Sequence, residues 1–164
     1  MGRWTRSFDG SERVIETVNI LDAVFEGRFD IGAAAGSSGV NAFVYDIAPG
    51  TSSCPYHYEY VDEWMLVIAG SVVARTPEGE RPLTAGALVR FPAGPSEAHK
   101  VMNRTESPAR TMLFSNDHGP AVSVYPDSNK VGVWPEAFDE NGMIFVRYSA
   151  VPWSYGEDGW DRAE

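Results

Sequence analysis

Three histidines occur in this 164-residue chain, and two of them, His57 and His99, stand beside carboxylates in short apolar segments. His57 and Glu59 are two residues apart in YHYEYVDEWMLVIAG. In an extended strand, side chains at i and i+2 leave the same face about 6–7 Å apart, so these two point the same way. Glu63 follows within the same segment, and His99 lies in PSEAHKVMN. If Glu63 and His99 arrive on neighbouring strands, two carboxylates and two imidazoles meet inside one sheet. Such a group is costly alone, because buried like charges raise a carboxylate's pKa and each unpaired ion costs several kcal/mol. A divalent cation neutralises both glutamates and orders both histidines. His57, Glu59, Glu63 and His99 are therefore expected to hold a metal. Two oxygen and two nitrogen donors suit manganese, iron, nickel or zinc, and ligand type does not choose among them.

Glu59 fits more than one role. It is a fourth ligand, or His57, Glu63 and His99 form a two-histidine-one-carboxylate set and Glu59 is the catalytic general base beside it. The plainer alternative puts Glu59 at the mouth of the fold, hydrogen-bonded or solvated, with no ion inside.

The elements that must position these residues read as strands. VNAFVYDIAPG alternates apolar and polar residues, and Glu63 to Ala69 and Ser71 to Thr76 are apolar runs split by Gly70, a barrel corner. TPEGE is turn chemistry, with Pro presetting φ and Gly accepting the positive-φ position. Ala87 to Phe91, His99 to Arg104 and Arg110 to Ser115 complete a central set. Short strands punctuated by Gly and Pro predict an all-β sandwich or barrel, and a closed double-sheet jelly roll protects their edges.

AVSVYPDSNKVGVWP and MIFVRYS read as further β segments that wrap the barrel or pair with a second copy. RVIETVNILDAVFEG fits a strand or a short helix, behind a charged N-terminal arm. The tail VPWSYGEDGWDRAE packs Trp153 locally and frays beyond it. Met65, Val67, Phe91 and Val101 share the ligands' parity and are expected to line the cavity as apolar walls. Tyr56, Tyr58 and Tyr60 have the opposite parity and face outward. Arg75 and Arg90 are charged residues within strands and read as an outward solvated face or, alternatively, as an anion anchor. Cys54 reads as a small hydrophobe near the mouth, and His118 as a turn histidine.

The stretch from Gly50 to Asn103 resembles the two motifs of the cupin superfamily. Gly50, His57, Glu59, Glu63 and Gly70 match the first motif, with Glu59 where the family usually has a second histidine. Gly86, Pro92, Gly94, His99 and Asn103 match the second, with a longer gap than usual between Gly94 and His99. The resemblance implies an all-β double-stranded β-helix, a jelly-roll cupin barrel. It is expected to be one domain over residues 1–164, with motif 1 at about 50–70 and motif 2 at about 86–103. It further implies a small-molecule enzyme using one divalent metal, of dioxygenase, isomerase or decarboxylase type. The alternative is a non-catalytic cupin module that binds a small molecule without a required metal.

Charge narrows the partners. A formal net charge of −10 repels a phosphate backbone, and the sequence has no basic cluster, which argues against nucleic acid. No apolar run approaches the roughly 20 residues of a membrane helix. The polar N-terminus lacks the apolar core of a signal peptide, and a single cysteine allows no internal disulfide. These features predict a cytoplasmic protein with a small-molecule ligand, and the general frequency of two-fold assemblies predicts a homodimer.

Overall fold

The long strands alternate between an interior and an exterior side. Ala109, Thr111 and Leu113 are the buried positions of Ala109–Ser115, Met65 and Val67 of Glu63–Ala69, and Val72 and Ala74 of Ser71–Thr76. That period of two is what a strand with one covered face requires. The computed structural model describes residues 4–8, 14–18, 27–34, 39–116, 120–134 and 144–147. In chain order its strands are β1 (Trp4–Phe8), β2 (Val14–Val18), β3 (Arg28–Asp30), β4 (Asn41–Ile47), β5 (Tyr58–Glu59), β6 (Glu63–Ala69) and β7 (Ser71–Thr76). They continue as β8 (Gly79–Thr84), β9 (Leu88–Phe91), β10 (Lys100–Met102), β11 (Ala109–Ser115), β12 (Ala121–Tyr125), β13 (Lys130–Trp134) and β14 (Ile144–Arg147). Helical structure among the described residues is one turn, Ile31–Ala34, and two 3₁₀ turns, Pro95–Glu97 and Pro126–Ser128; no helix is long and apolar enough to cross a membrane.

Two walls face one another. One is the antiparallel sheet β3-β4-β11-β6-β9. The other joins β10-β7-β8 to β14-β13-β12-β5. The seam between these two parts is a short antiparallel ladder, with bridges at Ser52–Met102 and His57–His99. Ser53 N–H donates to Val101 O at 3.1 Å, and His57 and His99 exchange both backbone bonds at 3.0 and 2.7 Å. The result is the double-stranded β-helix that the motifs imply. Met65, Val67, Val72, Leu83, Phe91 and Val101 pack together between the walls as the core.

The segment open between strand and helix is strand β2, paired with β1. β12, β13 and β14 form a meander docked on β5, so these segments wrap the barrel of their own chain. Residues 1–3, 9–13, 19–26, 35–38, 117–119 (His118 among them), 135–143 and those from 148 onward lie outside the described residues.

Two corners carry the closure. Gly70 takes the chain from β6 in one wall to β7 in the other with φ of +76°. A Cβ there would sit 2.9 Å from Pro108 O, so both backbone angle and space call for glycine. Asn103, 1 % exposed, donates from Nδ2 to Ile47 O and Ser107 O at 2.8 Å each. Its Oδ1 accepts from Thr105 N and Thr105 Oγ1. One amide thus ties the end of β4 to the turn before β11. Asn103→Ala orphans those buried groups and should lower unfolding free energy by about 2–4 kcal/mol, read from urea melts at unchanged m-value.

Candidate metal centre

The seam that joins the second wall also builds the site. A residue pair that exchanges both backbone hydrogen bonds is directly opposed, with side chains on the same face. His57 and His99 are such a pair, and their ring centroids lie 4.7 Å apart inside the barrel. Glu63 comes from the facing wall as the first residue of β6, opposite Phe91 on β9 and Ser115 on β11. Its Oε2 stands 3.5 Å from His57 Nε2 and 3.3 Å from His99 Nε2. Both histidines are buried.

The far nitrogen of each ring is anchored to backbone. His57 Nδ1 lies 3.0 Å from Pro55 O, and His99 Nδ1 lies 3.2 Å from Glu97 O. A carbonyl only accepts, so each Nδ1 carries the proton and each Nε2 turns a lone pair toward Glu63 when the ring is neutral. The 3₁₀ turn Pro95–Glu97, which supplies the second carbonyl, occupies the extended gap between Gly94 and His99. Phe91 stacks flat on His99, centroids 3.7 Å apart and planes at 5°, and Tyr125 stacks on His57 at 5.9 Å. Cys54 Sγ is 3.4 Å from His57 Nδ1, on the side of the ring away from Glu63.

Three electron-pair donors therefore share one buried spot. Beyond their contacts within this group, Glu63 Oε2 and His99 Nε2 have no hydrogen-bond partner. Two ligands about 2.1 Å from an ion are about 3.0 Å apart at a right angle and about 3.4 Å apart in a tetrahedron. The observed 3.3 and 3.5 Å match that spacing. The residues present fit a divalent ion, and the arrangement could hold one.

Glu59 is placed differently. It lines the same cavity, but it is not one of the residues whose ligand atoms lie within 4.8 Å of one another. Its Oε1 accepts from Ser123 Oγ at 2.5 Å. The backbone explains this: at Glu59 the strand pairs with Ser123 on β12, while His57 pairs with His99. His57 and Glu59 share a face yet reach toward different elements. The expected fourth ligand is thus a wall residue beside a group of three.

Other expectations shift as well. Met65, Val67, Phe91 and Val101 fill the closed core instead of lining the cavity, because β6, β7, β9 and β10 pack directly on each other. The cavity, about 600 Å³, opens on the β3, β4, β11 and β12 side, where Phe43, Ile47, Leu113 and Trp134 give the apolar wall. Tyr60 is exposed, but Tyr56 is buried beneath Arg75, whose guanidinium lies 4.0 Å from the ring centroid. Arg75 pairs with Asp127 and Arg90 with Asp62 on the outer surface. Arg28, Tyr45, Ser123 and Tyr125 line the cavity without having been singled out in the sequence. The parity of NAFVYDI places Tyr45 with Phe43 and Ile47; the docking of β12 on β5 has no local signal.

Electrostatics bind the trio together. Burial pushes the Glu63 carboxyl up, but the two imidazoles outweigh it and hold the pKa down at about 2. Burial opposes charge on His57, and the Cys54 sulfur and Glu63 carboxylate overcome it, raising the pKa to about 12.

Comparison with known proteins agrees with this architecture. Residues 43–115 match the family model of the Cupin domain. A structure from Silicibacter pomeroyi, described as a sugar phosphate isomerase from a cupin superfamily, is 27 % identical. The match covers 80 % of this chain and 88 % of that one, with a TM-score of 0.66. A putative sugar phosphate isomerase from Acidithiobacillus ferrooxidans is 21 % identical over 78 % of this chain and 80 % of its own, with a TM-score of 0.67. The polyketide cyclase RemF from Streptomyces resistomycificus is 17 % identical over 65 % and 83 %, with a TM-score of 0.54. The last two share the fold. Among curated proteins no sequence matches significantly. Motifs, topology and match define a jelly-roll barrel with a buried His–Glu–His group. Over residues 43–115 the chain is similar to the Cupin domain, and its fold is that of a cupin barrel.

The pKa shifts predict a pH signature for metal-free protein. Glu63, lowered, adds stability above its ordinary 4.5 that is lost as pH falls toward about 2. His57, raised, adds stability below its ordinary 6.5 that is lost as pH climbs toward about 12. The stability gap between wild type and His57→Gln in chelator should therefore be widest between pH 4.5 and 6.5 and narrow on both sides. Thermal melts across pH measure it, and a gap still growing at about pH 9 contradicts the assignment.

Proposed function

We propose that this cupin is a metal-dependent enzyme that shifts a proton on a compact polar metabolite. His57, Glu63 and His99 hold one divalent ion, manganese, iron, nickel or zinc, and Glu59 is the general base. The observation that carries this reading is the pair of orphaned acceptors, Glu63 Oε2 and His99 Nε2, aimed at one buried spot. A cation there satisfies both, and when bound it supplies Lewis acidity toward a substrate carbonyl.

Glu59 favours isomerase chemistry over the dioxygenase and decarboxylase alternatives. Its carboxylate stands on the cavity wall outside the trio, oriented by the bond from Ser123. A carboxylate so placed takes a proton from the hydroxyl-bearing carbon beside a polarised carbonyl and returns it to the carbonyl carbon. The hydroxyl proton passes to the carbonyl oxygen, so hydroxy-aldehyde and hydroxy-ketone interconvert. Phe43, Ile47, Leu113 and Trp134 limit water around that exchange. The description of the 27 % identical S. pomeroyi protein as an isomerase supports the same direction.

Elemental analysis should find about one divalent ion per chain in wild type and near none in a His57→Ala/His99→Ala double variant. Glu59→Gln should keep the ion. In D2O, wild type should exchange C–H for C–D next to the carbonyl of small hydroxy-aldehydes and hydroxy-ketones. Glu59→Gln should slow that exchange by about 10²–10⁴-fold. Unchanged exchange in Glu59→Gln removes it as base. An ion-free wild type that still binds small molecules favours the non-catalytic module.

We also infer a homodimer. β14 ends its sheet among the described residues with Ile144, Phe145 and Val146 each about half exposed, an apolar edge suited to a second copy. Sedimentation should give twice the chain mass, and Phe145→Lys should shift it toward the monomer. A monomer mass for wild type refutes the pairing.

A further inference from the structure

We propose that Arg75 and Asp127, on the outer surface and outside both motifs, are positioning residues for the cavity. Their pair clasps the β12–β13 turn to the back of the seam and so holds Ser123 and Tyr125 against Glu59 and His57. The inference goes beyond the metal-dependent reading above, since it concerns what keeps this wall in place whatever the cavity holds.

β12 is joined to the barrel over a short length. It pairs with β5 at Ser123–Glu59 and Val124–Tyr58, then runs on past the start of that strand, where His57 pairs with His99 instead. A ladder two residue pairs long is a weak joint for a meander. Yet β12 carries much of the cavity's order. Ser123 and Tyr125 share its inward face, both are buried and both line the cavity. Ser123 Oγ donates to Glu59 Oε1, and the Tyr125 ring lies 5.9 Å from that of His57 at 26°.

The clasp lies just beyond. Asp127 stands two residues after Tyr125, in the 3₁₀ turn Pro126–Ser128 that joins β12 to β13. Proline fixes φ at the first residue of the turn, and Asn129 closes it at φ of +52°, its N–H donating to Pro126 O at 3.3 Å. So stiff a turn passes a hold on Asp127 back to Tyr125. Arg75 on β7 grips Asp127 with both arms of its fork, Nη1–Oδ2 at 2.6 Å and Nη2–Oδ1 at 3.1 Å. The same guanidinium lies 4.0 Å from the centroid of Tyr56, the residue before His57. One planar group therefore ties the segment that carries His57 to the turn that follows Tyr125. An exposed ion pair counts for little alone, but a bidentate arginine–carboxylate bond seated on an aromatic face is the favourable case. Lys100 is directly opposed to Arg75 in the sheet and shares its outer face. Hydrogen bonds from Arg75 hold the Asp127 carboxyl below its ordinary value, and the charge of Lys100 adds to that. Glu80, opposed to Arg75 on the other side, is paired with Arg104.

Hydrogen exchange read by mass spectrometry, and the rate at which neutral iodoacetamide labels Cys54, test the clasp on the full chain as purified. Cys54 is the chain's single cysteine, lines the cavity and lies 3.4 Å from His57 Nδ1, so it reports on that wall. In Arg75→Gln and Asp127→Asn, amides of residues 121–134 should exchange about 5- to 30-fold faster than in wild type, and Cys54 should label faster as well. Amides of β6 and β11 should keep wild-type rates, which separates a loosened wall from a destabilised barrel. The double variant has the net charge of wild type and should open no further than Arg75→Gln, since the same bond is already lost. Arg75→Lys keeps the charge without the fork and should recover part of the protection. High salt should speed exchange in wild type and leave the double variant unchanged. Wild-type exchange in both single variants, additive effects in the double variant, or acceleration shared by β6 and β11 each overturns the clasp. So does a Cys54 labelling rate equal to wild type. These readouts need neither a bound ion nor a reaction, so the metal-dependent reading stands or falls separately.

Discussion

Three donor atoms brought to one buried point, with no partner outside the group for two of them, is the constraint on which the rest depends. A carboxylate and two imidazole nitrogens do not adopt that arrangement for their own sake, since each desolvated acceptor costs about 1–3 kcal/mol and more where charged. The fold imposes it. The backbone bonds exchanged by His57 and His99 close the seam between two parts of one wall, and the same bonds set the imidazoles side by side. Glu63 is brought in by the facing wall, where β6 lies between β11 and β9. Closing the barrel and assembling the site are one event, so a change that opens the seam damages both.

The rings are also held against rotation. A backbone carbonyl behind each Nδ1 and an aromatic face on each ring leave the Nε2 lone pairs little freedom. Ligands fixed beforehand lose less freedom when an ion arrives, which is the general value of support behind a ligand. Without an ion, the group settles as an ion pair: His57 holds a proton and Glu63 stays ionised. An ion at this spot would compete with that proton, because His57 and Glu63 contribute to both arrangements.

Much of this was legible because it is local. The parity of His57 and Glu59, the corner at Gly70 and the turn at TPEGE follow from two-residue periodicity and from what Gly and Pro permit. His99 and Asn103 were legible through a second spaced motif, and Asn103 indeed closes backbone bonds at its corner. Illegible features belong to long-range pairing. Glu59 leaves the trio because β12, some sixty residues later, places Ser123 opposite it. Tyr56 carries outward parity but is covered by Arg75, an outer-face contact that no alternation pattern describes. The residues expected to line the cavity became core because parity says which side a residue faces, not how far the opposite wall stands.

That division also separates the trio from the rest of the cavity wall. The trio comes from two motifs whose spacing is tied to the seam, and those positions have little room to change without opening the barrel. Much of the cavity wall comes from β3, β4 and β12, which lie outside the two motifs. Arg28, Tyr45 and Ser123 occupy inward or mouth positions where many side chains preserve the same pairing. Arg28 is exposed, whereas Tyr45 packs against the core cluster and Ser123 is buried, so those two also carry part of the packing. The donor trio and the rest of the cavity wall thus come from different parts of this chain, the first set by short spacings and the second by which strands face one another.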